Sequence, residues 1–148
     1  MIAFARYWLP PLVWMAVIWG LSTDIGSAEN TAGLFVWLVS RLFPWATPAQ
    51  IALAHGLLRK LGHLTEYAIL AALWFRALYL ERRFGSAPSA WTALFVSVAW
   101  ASADELHQTF VPSRTASPLD VLLDATGAAL ATLTRRGALP PFRRSSRA

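Results

Sequence analysis

The sequence predicts an all-α fold: an integral membrane bundle of four transmembrane helices, with an extra short interfacial or re-entrant helix in the first outward connection. Three observations predict it. Of the 148 residues, 56% are hydrophobic and only 14% charged, where a soluble domain averages about 25% charged. Four apolar segments, 4–21, 61–80, 90–111 and 119–134, approach the roughly 20 residues that cross a bilayer core as a helix. The acids and amides within them all fall towards one end of the bundle, and open strands are excluded because lipid cannot satisfy a free sheet edge.

The first segment carries Arg6, placed to snorkel towards head groups, and Pro10 and Pro11 near its start, where a missing backbone donor costs least. They mark an entry or a kink. Trp14 and Trp19 are bulky for a signal peptide and no small-residue cleavage site follows, so the segment reads as a retained span. In the connection 22–60, the apolar stretch 34–39 is too short to span and fits an interfacial or re-entrant helix. Thr47, Pro48 and Gln50 read as a capping box opening a helix that runs through His55 into the second span. Continuous from 48 to 80 it would reach roughly 50 Å, so a break is expected near Gly56 or Gly62. Pro112 closes the third segment. In the fourth, Ser117 is the expected N-cap, with Pro118 at the first helical position and Asp120 completing the box.

The net charge of +5 comes mostly from arginine, spread near the ends of apolar runs rather than over one face. That pattern suits membrane anchoring and argues against nucleic acid. Nine of the thirteen basic residues lie on the side of the N-terminus, so the positive-inside rule puts both termini in the cytoplasm. The polar turns then face outward. Residues 1–134 form one transmembrane domain and 135–148 a basic cytoplasmic tail, disordered over 143–148. Absence of cysteine excludes disulfides and thiolate metal sites.

The chemistry concentrates in three places. Lys60, His63, Glu66 and Tyr67 share a helical face at three- and four-residue spacing. Asp104 and Gln108 share a stripe of the third span, with Glu105 on another face. Asp120 and Asp124 stand one turn apart on the fourth. A carboxylate at the centre of an inserted helix costs on the order of 3 kcal/mol. These five acids must therefore pair, carry protons or line a wet cavity. A polar pocket between the second, third and fourth spans fits that requirement.

These residues form three ordered motifs: Lys60-x-x-His63-x-x-Glu66-Tyr67, then Asp104-Glu105-x-x-Gln108-x-Phe110-Val111-Pro112-x-Arg114, then Asp120-x-x-x-Asp124-x-x-Gly127. Over roughly residues 57–130 the chain resembles the VanZ-like family of small bacterial membrane proteins, associated with resistance to the glycopeptide teicoplanin. It departs in carrying Asp124 where an Asn is expected in many relatives, and Leu21-Ser22-Thr23-Asp24 in place of a Ser-Ser-Gln-like end to the first span. The resemblance implies a cell-envelope protein of the bacterial inner membrane whose outward pocket engages a lipid-linked envelope precursor or a glycopeptide-type molecule.

Two other classes stay open. In a membrane enzyme, His63, Glu66, Asp104 and Glu105 are the candidate acid–base groups, with Lys60, Tyr67, Gln108, Arg114, Asp120 and Asp124 as substrate contacts. Arg114 and Lys60 suit a phosphate. In a proton or cation pathway, acids on facing spans carry the charge. The bland reading of the same residues is interhelical hydrogen bonding that fixes packing. No second strong His ligand aligns with His63 and Glu66, so neither metal nor cofactor is assigned. Gly127, Ala128 and Ala131 form a small-residue stripe for close helix packing.

Overall fold

A computed structural model of the chain describes residues 2–138 apart from Arg83 and Thr115. The described residues are helical throughout: α1 (Ile2–Leu21), a 3-10 turn (Asp24–Gly26), α2 (Ala28–Leu42), α3 (Pro48–Arg76) running into a π-helical turn (Ala77–Glu81), α4 (Ser86–Gln108) and α5 (Pro118–Ala138).

Local chemistry sets the helix starts. The Ser27 side chain accepts the Asn30 N–H and opens α2, which at fifteen residues is longer than its apolar stretch suggested. At ~22 Å it is still shorter than a bilayer core. The predicted capping box is present at α3, where Gln50 N–H donates to Thr47 Oγ1 at 3.3 Å and Thr47 N–H to Gln50 Oε1 at 2.9 Å.

Three expectations are corrected. α3 runs 29 residues without a break at Gly56 or Gly62; nothing approaches either glycine closely enough to wedge the helix open, and the irregularity comes at the far end as the π turn. Pro10 and Pro11 lie in the middle of α1, which already begins at Ile2. At α5, Asp120 does not close a capping box. The Ser117 N–H that it would accept donates to Glu105 Oε1 of α4, so a carboxylate from a neighbouring helix replaces the local one. α5 also continues through Ala138, making the first residues of the expected tail helical. Residues 139–148, with the expected disorder at 143–148, lie outside the described residues.

α3 is the central helix and packs on α5, α4 and α1. α5 crosses it closely at Gly127: a Cβ there would overlap the Leu64 carbonyl oxygen and stand 3.0 Å from the Leu64 carbonyl carbon. Gly127 and Ala128 of the small-residue stripe are buried at this crossing. One apolar cluster joins Ile18, Tyr67, Leu70 and Ala101, and a second joins Phe75, Leu78, Ala90 and Ala93, with Trp74 packed against both. Many large apolar side chains point outward, among them Leu12, Trp91, Phe95, Leu122 and Leu133, while Ser89, Ser97, Asp104, Glu105, Gln108, Asp124 and Thr132 are buried. Among the described residues no single helix is long and apolar enough to cross a membrane. Phe4–Leu21 and Asp24–Leu42, bent by 72° at their junction, meet that condition together.

Candidate functional site

A cavity of about 140 Å³ opens at the end of the bundle where α1 and α4 finish, lined by Ile18 and Leu21 of α1, Ser22 and Gly26 of the turn after it, Arg59, Gly62, His63 and Glu66 of α3, Asp104 and Gln108 of α4, and Arg114. It therefore sits between α1, α3 and α4, not between the second, third and fourth spans. No residue of α5 is among those that line it.

The α3 contribution is a stripe at i, i+3, i+4 and i+7: Arg59, Gly62, His63 and Glu66. Lys60, expected here as the cation, is one position off that stripe and is exposed. Arg59, seven residues before Glu66 on the same stripe, takes that place. Trp14 of α1 fixes the stripe's depth, its indole N–H donating to the Glu66 carbonyl at 2.9 Å. Tyr67 turns away into the apolar cluster, fully buried, with no partner for its hydroxyl.

Both arginines are held by backbone carbonyls at the end of α1 and the turn after it. Arg59 donates to Gly26 O at 3.0 Å; Arg114 donates through Nε to Thr23 O at 3.3 Å and through its terminal nitrogen to Leu21 O. A cation there also complements the negative end of α1. The segment bearing Arg114 is pinned by Ser113, whose hydroxyl donates to Asp24. Gly26 is required here, since a Cβ would overlap the Leu21 carbonyl oxygen and stand 2.8 Å from an Arg114 nitrogen. Burial and then the nearby Arg59 hold the Arg114 guanidinium below its ordinary pKa, but a guanidinium stays charged.

The acids divide into two groups. Glu66 and Asp104 line the cavity. Asp104 is 3% exposed; its Oδ2 accepts from Gln108 Nε2 at 3.1 Å, and its Oδ1 has no partner among the described residues. Asp124 lies behind the cavity, 1% exposed, with Oδ1 3.3 Å from His63 Nδ1. The pair is within ion-pair range without the alignment of a hydrogen bond. Glu105 is buried and caps α5, and Asp120 is half-buried; neither lines the cavity. His107 is also outside it, 3.2 Å from Ser22 Oγ and stacked on Trp19.

The ion pairs found among the described residues are His63–Asp124 and Arg82–Glu81. The two guanidiniums thus share a small cavity with two carboxylates yet lie beyond 4.0 Å of any of them. Of five N–H donors each, Arg114 uses two and Arg59 one on backbone carbonyls. Donors remain for an anion. Among the described residues no three His, Asp or Glu side chains converge as a metal centre requires.

Neither the curated proteins nor the solved structures contain a match to the chain. The family described as VanZ/LLP1 matches residues 7–136, a span holding every residue around the cavity, and the chain therefore belongs to the VanZ/LLP1 family.

Proposed function

We propose that this chain is a four-span protein of the bacterial inner membrane, with both termini cytoplasmic. Its outward cavity engages the anionic part of a lipid-linked or glycopeptide-type envelope molecule and lowers susceptibility to teicoplanin-type glycopeptides. The observation that carries the reading is the pair Arg59 and Arg114: two guanidiniums on one small cavity, with free donors and no carboxylate in ion-pair range. Planar guanidiniums match phosphate and carboxylate oxygens two at a time.

Two features support the membrane. The bundle has the polarity of a protein facing lipid, with Phe95 and Leu133 exposed at 74% and 63% while Asp104 and Asp124 are buried. Averaging hydropathy along α3, α4 or α5 counts those inward polar groups against a span although lipid does not meet them. The opposite end of the bundle is basic and aromatic: Arg6 and Arg76 lie over Tyr7, Arg82 lies over Trp8, and the Trp8 indole donates to Glu81 at 3.2 Å. An arginine–aromatic layer is what a cytoplasmic interface favours.

One observation favours a second reading, an enzyme. His63 is flanked by buried Asp124 and by Glu66 and Asp104 on the cavity wall, a setting for general acid–base catalysis beside a bound phosphate. A proton or cation pathway has less support, because Glu66, Asp104, Glu105 and Asp124 gather at one end of the bundle.

The test is complementation in a strain where deletion changes teicoplanin susceptibility. Asp104→Asn keeps shape and the acceptor for Gln108 while removing charge, and Arg59→Gln removes the guanidinium. Both should reach normal abundance and fail to restore the phenotype. Full restoration by both would overturn the cavity's role, whereas turnover of an envelope phosphate lost in His63→Gln would favour the enzyme.

A further inference from the structure

Resting on the anion reading above, we propose that the cavity takes a zwitterionic phosphate ester: the phosphate against Arg59 and Arg114, and a primary ammonium against Glu66 and Asp104, as in an ethanolamine phosphate head group. Both signs of charge line one space and do not neutralise each other. Arg59 and Arg114 are tied to the carbonyls of Leu21, Thr23 and Gly26, while Asp104 is tied to Gln108 on α4. A purely anionic ligand would face two carboxylates across a small cavity, and a purely cationic one two guanidiniums. A ligand carrying both charges satisfies both walls.

The acceptor side has an unused atom. Asp104 Oδ1 is buried without a partner on a side chain that lines the cavity, and buried polar atoms are ordinarily satisfied. A primary ammonium supplies the missing N–H. A quaternary ammonium is instead recognised over aromatic faces, and among the described residues no Phe, Tyr or Trp lines this cavity. Its about 140 Å³ suits a head group rather than a saccharide chain.

The experiment titrates the purified full chain in detergent by calorimetry with glycerophosphoethanolamine, glycerophosphoglycerol and glycerophosphocholine. The first should bind at least about tenfold tighter than the other two, the scale of one charge-assisted contact. Glu66→Gln and Asp104→Asn should each bring the ratio of ethanolamine-ester to glycerol-ester affinity down to about one. Circular dichroism and gel filtration check folding, and if one variant misfolds the other carries the test. Equal binding of the ethanolamine and glycerol esters would overturn the zwitterion and leave the anion reading standing. No binding of any of the three would overturn both. Given the expected preference, nanodiscs identify the source: phosphatidylethanolamine that suppresses binding of the soluble ester, where phosphatidylglycerol does not, marks a lipid head group, and no suppression marks a soluble ester.

Discussion

Gly127→Ala adds one methyl group at the crossing of α5 on α3. In an open helix this substitution stabilises by roughly 0.5–1 kcal/mol, because alanine loses less backbone freedom on folding. At position 127 the new Cβ would overlap the Leu64 carbonyl oxygen and sit 3.0 and 3.2 Å from the Leu64 carbonyl carbon and Cα. These are backbone atoms inside a continuous 29-residue helix and no rotamer change moves them. The helices must separate, loosening the most extensive contact in the bundle. Overpacking of this kind costs ~1–3 kcal/mol, and the rigidity of the obstacle puts Gly127→Ala at the upper end, a thermal midpoint lowered by ~5–10 °C. Gly56→Ala is the paired control, because nothing lies within 4 Å of its added Cβ; its midpoint should stay level or rise. Thermal unfolding of both variants in one detergent reads the difference. Gly127→Ala as stable as wild type, or no better than Gly56→Ala, would refute the close crossing.

Four further outcomes follow from the site. Glu105→Ala removes the acceptor of the Ser117 N–H and should destabilise by about 1–2 kcal/mol in thermal or denaturant unfolding, while Asp120→Ala changes only a few tenths; equal losses would restore Asp120 as the cap. Gly26→Ala should lower the thermal midpoint, since its Cβ would overlap the Leu21 carbonyl oxygen of the backbone as well as stand 2.8 Å from an Arg114 nitrogen; an unchanged midpoint would refute this close approach. A double-mutant cycle should couple Asp104→Ala more strongly with Gln108→Ala, its partner at 3.1 Å, than with Arg114→Gln, which lies beyond ion-pair range. The native chain has no cysteine, so an impermeant thiol reagent should label Ser113→Cys only from outside the cell and Gly137→Cys only from the cytoplasmic side. The reverse pattern would invert the proposed orientation.

Much of the local structure was legible because its causes are local. Thr47 and Gln50 announce the start of α3 through atoms three residues apart, and Gly127 with Ala128 marks a face for close packing. The grouping of Glu66, Asp104 and Gln108 followed from the expense of leaving such groups among apolar neighbours. Spacing also fixes which residues share a stripe, but not where the stripe points. Lys60 and Arg59 are neighbours, each with a helical-spacing argument, and the rotation of α3 against α1, held by the Trp14 bond to the Glu66 carbonyl, turns Arg59 into the cavity and Lys60 to the exterior. Which helix closes the cavity, and which acid caps α5, were decided in the same way. Leu21, Ser22 and Gly26 carry no charge to draw notice and enter the site through their place at the end of α1 and in the turn beyond it. Glu105 reaches the Ser117 N–H from another helix, twelve residues away. Helix periodicity is a property of one segment, whereas these contacts depend on the relative rotation and depth of two, and that is set by the packing of the whole bundle.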